Sequence, residues 1–115
     1  MNNSKTELLN PKDRAALEKF KTLLNERLPG LIEEVILFGS KARGDARPDS
    51  DMDILVIISK GDWHMRDLIC NISTDVFLET EVLLSAKTIT REEYKLMMER
   101  ENNFLRNVIK EGIPA

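Results

Sequence analysis

The segment LFGSKARGDARPDSDMDILVII, residues 37–58, constrains the fold more than any other stretch of the chain. It places two short apolar runs on either side of a polar loop that contains two glycines, one proline and five charged residues. Short apolar runs that are bounded by glycine, proline and aspartate are typical of β-strands. The segment therefore predicts one strand over residues 35–38, a second over residues 51–59, and a loop between them.

The regions around these strands have the start signals of helices. Asn10 precedes a proline at a first helical position, and apolar residues then recur at helical spacing, which predicts a helix over residues 11–28. Asp62 can cap a second helix. Thr90, with Glu93 three residues later, forms a capping box that predicts the start of a C-terminal helix.

The order of these elements indicates the fold class. Residues 78–85 read as a third strand, and Asn102-Asn103 is a point where the C-terminal helix can be interrupted. The order αβ(loop)βαβα predicts an α/β (α+β) fold, with a small mixed sheet and helices packed on one face. The length of 115 residues predicts a single domain over residues 1–115.

Composition and charge exclude several classes of function. Seventeen basic and twenty acidic residues give a net charge of −3, so extensive nucleic-acid binding is not indicated. Cys70 is the single cysteine, which excludes a disulfide within the chain and fits the reducing cytoplasm. The apolar run over residues 54–58 is too short to span a membrane, and the N-terminal region has no signal-type apolar segment. We therefore expect a small cytoplasmic protein.

Acidic side chains collect where the strands begin. Strand alternation puts Asp51 and Asp53 on one face, and it puts a uniformly apolar set on the other: Met52, Ile54, Val56 and Ile58. In the predicted third strand, Glu79 and Glu81 share the open face with the aspartates. So many carboxylates on one small surface repel one another unless a cation neutralises them. Mg²⁺, held by one or two carboxylates and by substrate phosphates, is the natural candidate.

The Gly39-Ser40 pair supplies a second element of a binding site. A glycine at the end of a strand lets the backbone turn sharply and approach a ligand closely. Backbone N–H groups at the start of a following helical turn can hold phosphate oxygens, together with the serine hydroxyl. Lys41, Arg43 and Arg47 add positive charge nearby.

The spacing of these motifs resembles that of a known family. Gly39-Ser40, ten further residues and then Asp51-Met52-Asp53 match the GS-x10-DxD signature of nucleotidyltransferases related to DNA polymerase beta. The sequence GSKARGDARPDSDMDILV is similar to that of the minimal nucleotidyltransferases, which are small bacterial proteins often paired with a helical HEPN-domain toxin. The resemblance covers essentially the whole chain, including the C-terminal RNVIKEGI.

The resemblance implies roles for the acidic residues. Asp51, Asp53 and a third carboxylate would be the catalytic residues and would ligate magnesium, with two Mg²⁺ ions expected. The family usually has aspartate at the third position, and the matching residue here is Glu81, with Glu79 as the reserve candidate.

The resemblance also implies a substrate and a reaction. Gly39 and Ser40 would hold the phosphates of the nucleotide, and Arg43 and Ser50 are further nucleotide-binding candidates. The expected reaction transfers AMP from ATP to a protein hydroxyl, such as a tyrosine of a HEPN-domain partner, so that the chain acts as the antitoxin of a toxin–antitoxin pair.

Other interpretations of these residues stay open. Asp51 and Asp53 can simply belong to a turn that Ser50 orders, and Arg43 can pair with a carboxylate in the loop. His64 and Cys70 have no partner motif that supports catalysis. The alternative function is a non-catalytic nucleotide-binding module that neutralises a helical partner by contact alone. An enzyme that modifies small molecules is less well supported, and homo-oligomers are compatible with the sequence.

Overall fold

The fold combines one mixed sheet with helices, which confirms the predicted class. The computed structural model describes residues 9–47 and 50–115. None of the helices in these residues is long and apolar enough to cross a membrane. In chain order the elements are α1 (Pro11–Arg27), β1 (Ile32–Phe38), α2 (Gly39–Arg43), β2 (Met52–Ile58), α3 (Trp63–Thr80), β3 (Leu84–Thr90), α4 (Arg91–Glu99), α5 (Asn103–Glu111) and β4 (Ile113–Pro114).

The sheet has the strand order β3-β2-β1-β4, so β2 is a central strand. It pairs antiparallel with β1 and parallel with β3, and α3 provides the crossover that a parallel pair requires. The register places Asp53 opposite Phe38 on β1 and beside Ser85 on β3. The start of β2 therefore lies next to the end of β1, where the chain enters α2.

One face of the sheet packs against α1 and α3, as the apolar alternation of β2 predicts. Met52, Ile54, Val56 and Ile58 are all fully buried in this cluster. The helices contribute their own apolar stripes, which include the following buried residues: Ala16, Leu17, Phe20, Leu24, Ile69, Ile72 and Val76.

The opposite face is also covered, so the prediction that helices pack on one face only was incomplete. Leu55 and Ile57 are fully buried in a second cluster. The helix α5 supplies Leu105 and Val108 to this cluster, and Met97 of α4 packs against it. An uninterrupted apolar run, rather than an alternating one, is typical of a strand that is buried on both faces.

The predicted helix starts are confirmed by their caps. The Asn10 side chain accepts a hydrogen bond from the backbone N–H of Asp13, and Asp62 accepts one at the start of α3. Thr90 and Glu93 form the complete capping box of α4. The predicted interruption of the C-terminal helix is present, because Asn102 caps a separate helix, α5.

The third strand is present, but its predicted bounds of residues 78–85 were wrong, because β3 spans Leu84–Thr90. The helix α3 continues to Thr80, and Glu81 ends it in a left-handed conformation with φ of 62°. The residues whose alternation suggested the start of a strand belong to the last turn of α3. There the Thr80 hydroxyl donates to the carbonyl of Val76, one helical turn earlier. Glu79 consequently lies on an exposed helix face, 3.3 Å from the ammonium group of Lys19, and not on the sheet.

Candidate active site

The central feature of the site is a close approach between Gly39 and Asp53. Gly39 directly follows Phe38, the residue opposite Asp53, and it turns the chain into α2 with φ of +75°. A Cβ atom added at Gly39 would overlap Oδ2 of Asp53 and lie 3.1 Å from its Cγ. Only glycine fits this position without displacing the carboxylate. The structure therefore brings the Gly-Ser turn and the second aspartate of the DxD motif into contact.

The two aspartates differ in environment. Asp53 is half-buried in the sheet, whereas Asp51 precedes the strand and is exposed. Burial raises the pKa of Asp53, the negative charge of Asp51 raises it further, and the positive charge of Arg43 opposes both effects. A cation bound beside Asp53 would therefore stabilise its charged form.

The short helix α2 presents the start of the predicted phosphate grip. Its first residues are Gly39 and Ser40, whose N–H groups have no acceptor within a helix at this position. Gly44 ends α2 with φ of 84°, and its N–H donates to the carbonyl of Ser40. The N–H of Asp45 donates to the same carbonyl, so these two N–H groups at the C-terminal end of α2 are already hydrogen-bonded.

Arg43 is engaged by carboxylates in the structure. Its guanidinium group donates to Glu111 of α5 at 2.9 Å and to Asp45 at 3.2 Å, and these contacts raise the pKa of Arg43. The interpretation that Arg43 pairs with a loop carboxylate is thus confirmed. The contact with Glu111 was not predicted, because only the fold brings residues 68 positions apart together.

Ser50 orders the turn before the DxD motif. Its hydroxyl accepts a hydrogen bond from the N–H of Arg47 at 3.1 Å, and its own N–H donates to the Arg47 carbonyl. Residues 48 and 49 lie outside the described part of the chain. Ser50 and Asp51 also line an open cavity of about 320 Å³, and Glu81 and Leu83 line the same cavity.

Glu81 lies beside the cavity and not on a strand next to the aspartates. On β3 the residue paired with Asp53 is Ser85, and the Leu83 carbonyl accepts a hydrogen bond from the N–H of Met52. Within residues 9–47 and 50–115, no group of three acidic, histidine or cysteine side chains is close enough to hold a metal ion. Asp51 and Asp53 still fit one Mg²⁺, since this ion commonly takes one or two carboxylates and completes its shell with phosphate and water.

A larger cavity lies at the far end of β2. It has a volume of about 460 Å³, and its wall includes Lys60 and Arg66. The guanidinium group of Arg66 is already bound by both carboxylate oxygens of Glu93, at 2.6 and 2.8 Å. This cavity is separate from the aspartates, which lie at the start of the same strand.

Comparison with known proteins decides the family. Residues 17–111 match the family model of the nucleotidyltransferase domain. The chain belongs to this family. It is therefore a nucleotidyltransferase, as the motif spacing predicted. A proposed protein adenylyltransferase of Methanocaldococcus jannaschii, MJ0604, is 35% identical over 101 residues, which cover 87% of this chain and 94% of the relative.

Two solved structures have a similar fold. A proposed minimal nucleotidyltransferase superposes with a TM-score of 0.58 at 24% identity, and the match covers 100% of both chains. A chain from a crystal structure of a toxin–antitoxin with AMP-PNP gives a TM-score of 0.55 at 19% identity, covering 84% of this chain and 69% of that one. At these identities the likeness establishes the fold.

The Gly39–Asp53 contact predicts that two glycines will differ sharply in their response to alanine. Gly39→Ala and Gly44→Ala both force a left-handed backbone on alanine, which costs about 1–2 kcal/mol. Only Gly39→Ala also displaces a carboxylate, which must leave its preferred rotamer at a further cost of about 0.5–1.5 kcal/mol. The added Cβ at Gly44 meets no atom within 4 Å. Urea denaturation of both variants measures the difference, and equal losses would contradict the contact.

The raised pKa of Asp53 predicts a pH-dependent stability. The folded chain binds the Asp53 proton more tightly than the unfolded chain, so stability falls as pH rises from the ordinary aspartate pKa through the raised one. Asp53→Asn should therefore be more stable than wild type at pH 7 in the absence of divalent cations. At about pH 3, where Asp53 is protonated and therefore as neutral as asparagine, the difference in stability between wild type and variant should vanish. Thermal unfolding over this pH range provides the test, and a variant that is less stable at pH 7 would refute it.

Proposed function

We propose that the chain is a Mg²⁺-dependent adenylyltransferase that transfers AMP from ATP to a hydroxyl group of a protein. The contact between Gly39 and the Asp53 carboxylate carries this proposal. This contact supports the proposal because N–H groups at the start of a helical turn can hold phosphate oxygens, and the adjacent carboxylates can hold a divalent cation. A triphosphate with its metal ion needs both at once, and a purely structural turn needs neither.

In this proposal Asp51 and Asp53 hold Mg²⁺, and Gly39 and Ser40 hold phosphate oxygens. When bound, Mg²⁺ would neutralise negative charge on the triphosphate and lower the pKa of an acceptor hydroxyl. The acceptor oxygen forms a bond to the α-phosphorus, the bond to the bridging oxygen of the β-phosphate breaks, and pyrophosphate leaves. The hydroxyl proton passes to water. The chain itself contributes positioning and electrostatic stabilisation and no covalent nucleophile.

Glu81 is proposed as the third carboxylate, which would support a second Mg²⁺. It is exposed on the wall of the same cavity as Asp51. It also adopts a left-handed backbone at a position where glycine would be more stable, and such strain is often retained for function. Glu101 has the same conformation away from the aspartates, with φ of 52°, so strain by itself does not single out Glu81.

The biological partner is proposed from the relatives and the sequence together. The named relative is described as acting on protein, and a structural neighbour was crystallised as a toxin–antitoxin with AMP-PNP. We propose that this chain modifies a HEPN-domain toxin and acts as its antitoxin in the cytoplasm. The competing function is neutralisation by contact alone, which the engagement of Arg43 by two carboxylates favours.

The aspartates provide the direct test of catalysis. With α-labelled ATP, Mg²⁺ and a HEPN-domain partner, Asp53→Asn should lower the transfer of label by at least about a hundredfold, because a metal ligand and its charge are lost. Asp67→Asn, which removes one carboxylate from the exposed face of α3, is the matched control and should transfer label normally. Wild-type chain that binds the partner and transfers no label would establish the contact-only function instead.

Two glutamates that are close in sequence test the third ligand. Glu81→Gln should lower the transfer rate by about a hundredfold while Mg²⁺-ATP affinity changes much less, because it keeps the size of the side chain and removes its charge. Glu79→Gln, on the helix face that contacts Lys19, should have a small effect. Single-turnover rates and calorimetric ATP titrations separate the two quantities. An active Glu81→Gln variant would remove Glu81 from the site.

A further inference from the structure

The helix α2 is too short to hold its own position. It spans five residues, and an isolated helix of this length is unstable in water because nucleation is costly. Three consecutive side chains attach it to different parts of the fold. Lys41 contacts α1, Ala42 packs against the core that α1 and α3 share, and Arg43 contacts α5. The orientation of Gly39 and Ser40 therefore depends on contacts made by the residues that follow them.

The contact between Lys41 and Asp13 is the most deeply buried of these attachments. Nζ of Lys41 lies 2.7 Å from Oδ2 of Asp13, and the two side chains are only 6% and 7% exposed. By comparison, the Arg43–Glu111 pair is 44% and 31% exposed, so water weakens it more. Lys41 thus makes the more rigid connection between the Gly-Ser turn and the rest of the molecule.

Asp13 is itself firmly placed. Its N–H donates to Oδ1 of Asn10 at 2.7 Å, and the amide group of Asn10 donates to Oδ2 of Asp13 at 3.2 Å. A carboxylate in the first turn of a helix is also favoured by the helix dipole. The helix that carries it, α1, is anchored in the core by Ala16, Leu17 and Phe20. Asp13 is therefore a fixed point from which α2 can be oriented.

Stability alone gives a weak reason for such a pair. Removing two charges from water is costly, and buried ion pairs can often be replaced by apolar residues without loss of stability. An apolar pair imposes no fixed direction, whereas the ion pair holds Nζ of Lys41 2.7 Å from Oδ2 of Asp13. The pair next to Ser40 is thus better explained by the geometry it imposes than by the free energy it contributes.

We propose that Asp13 and Lys41 are positioning residues for nucleotide binding: their buried contact orients α2 so that Gly39 and Ser40 meet the phosphates beside Asp53. This inference rests on the proposed function. Lys41 acts here through the backbone of α2 and is not a phosphate ligand, because its ammonium group is already held by Asp13.

The test replaces the charged pair with an apolar one. Asp13→Leu combined with Lys41→Met should unfold at a urea concentration close to that of wild type, while Mg²⁺-ATP binds about tenfold more weakly and transfer falls by up to about a hundredfold. The matched control, Arg27→Met with Asp75→Leu, removes an exposed pair that joins α1 to α3 and should leave ATP affinity unchanged. Affinity is measured by calorimetry at a temperature where every variant is folded.

A milder variant keeps the test decisive if the apolar pair does not fold. Asn10→Ser retains an N-capping oxygen and removes the amide that donates to Asp13, so it should fold and bind Mg²⁺-ATP a few-fold more weakly. Wild-type affinity in the folded apolar variant, or in Asn10→Ser if the apolar variant does not fold, would overturn the inference alone. A wild-type chain that does not bind Mg²⁺-ATP would overturn the proposed function and this inference with it.

Discussion

The rest of the site depends on the contact between the Gly39 backbone and the Asp53 carboxylate. Antiparallel pairing of β1 with β2 puts Phe38 opposite Asp53, so the residue after Phe38 must turn beside the carboxylate. The left-handed glycine makes that turn possible and leaves no room for a side chain. A sheet register and one missing Cβ atom are therefore sufficient to join two motifs that are separated by ten residues in sequence.

The burial of β2 on both faces gives this contact its electrostatic character. Because α4 and α5 cover the face that carries Leu55 and Ile57, Asp53 on the same face is partly removed from water. Its raised pKa follows from that burial and from the neighbouring charge of Asp51. Folding thus disfavours the charged form of Asp53, and a bound cation would favour it.

The sequence predicted features that depend on local chemistry and missed those that depend on distant partners. The caps at Asp62 and Thr90 are local and were predicted correctly. The spacing of the Gly-Ser and DxD motifs predicted the nucleotidyltransferase family correctly. Glu81 was assigned to a strand because its neighbours alternate, although α3 continues almost to that residue. The engagement of Lys41 by α1 and of Arg43 by α5 was not foreseen, since tertiary packing alone chooses among the available carboxylates.

Paramagnetic relaxation can measure directly where the metal–nucleotide complex binds on the chain. Mn²⁺ accepts the same oxygen ligands as Mg²⁺, and when added with ATP it broadens amide resonances according to their distance from the bound ion. We expect the strongest broadening at the amides of Gly39, Ser40 and Asp53, and we expect this broadening to be lost in Asp53→Asn. Broadening centred on Lys60 and Arg66, at the larger cavity beyond the far end of β2, would contradict it.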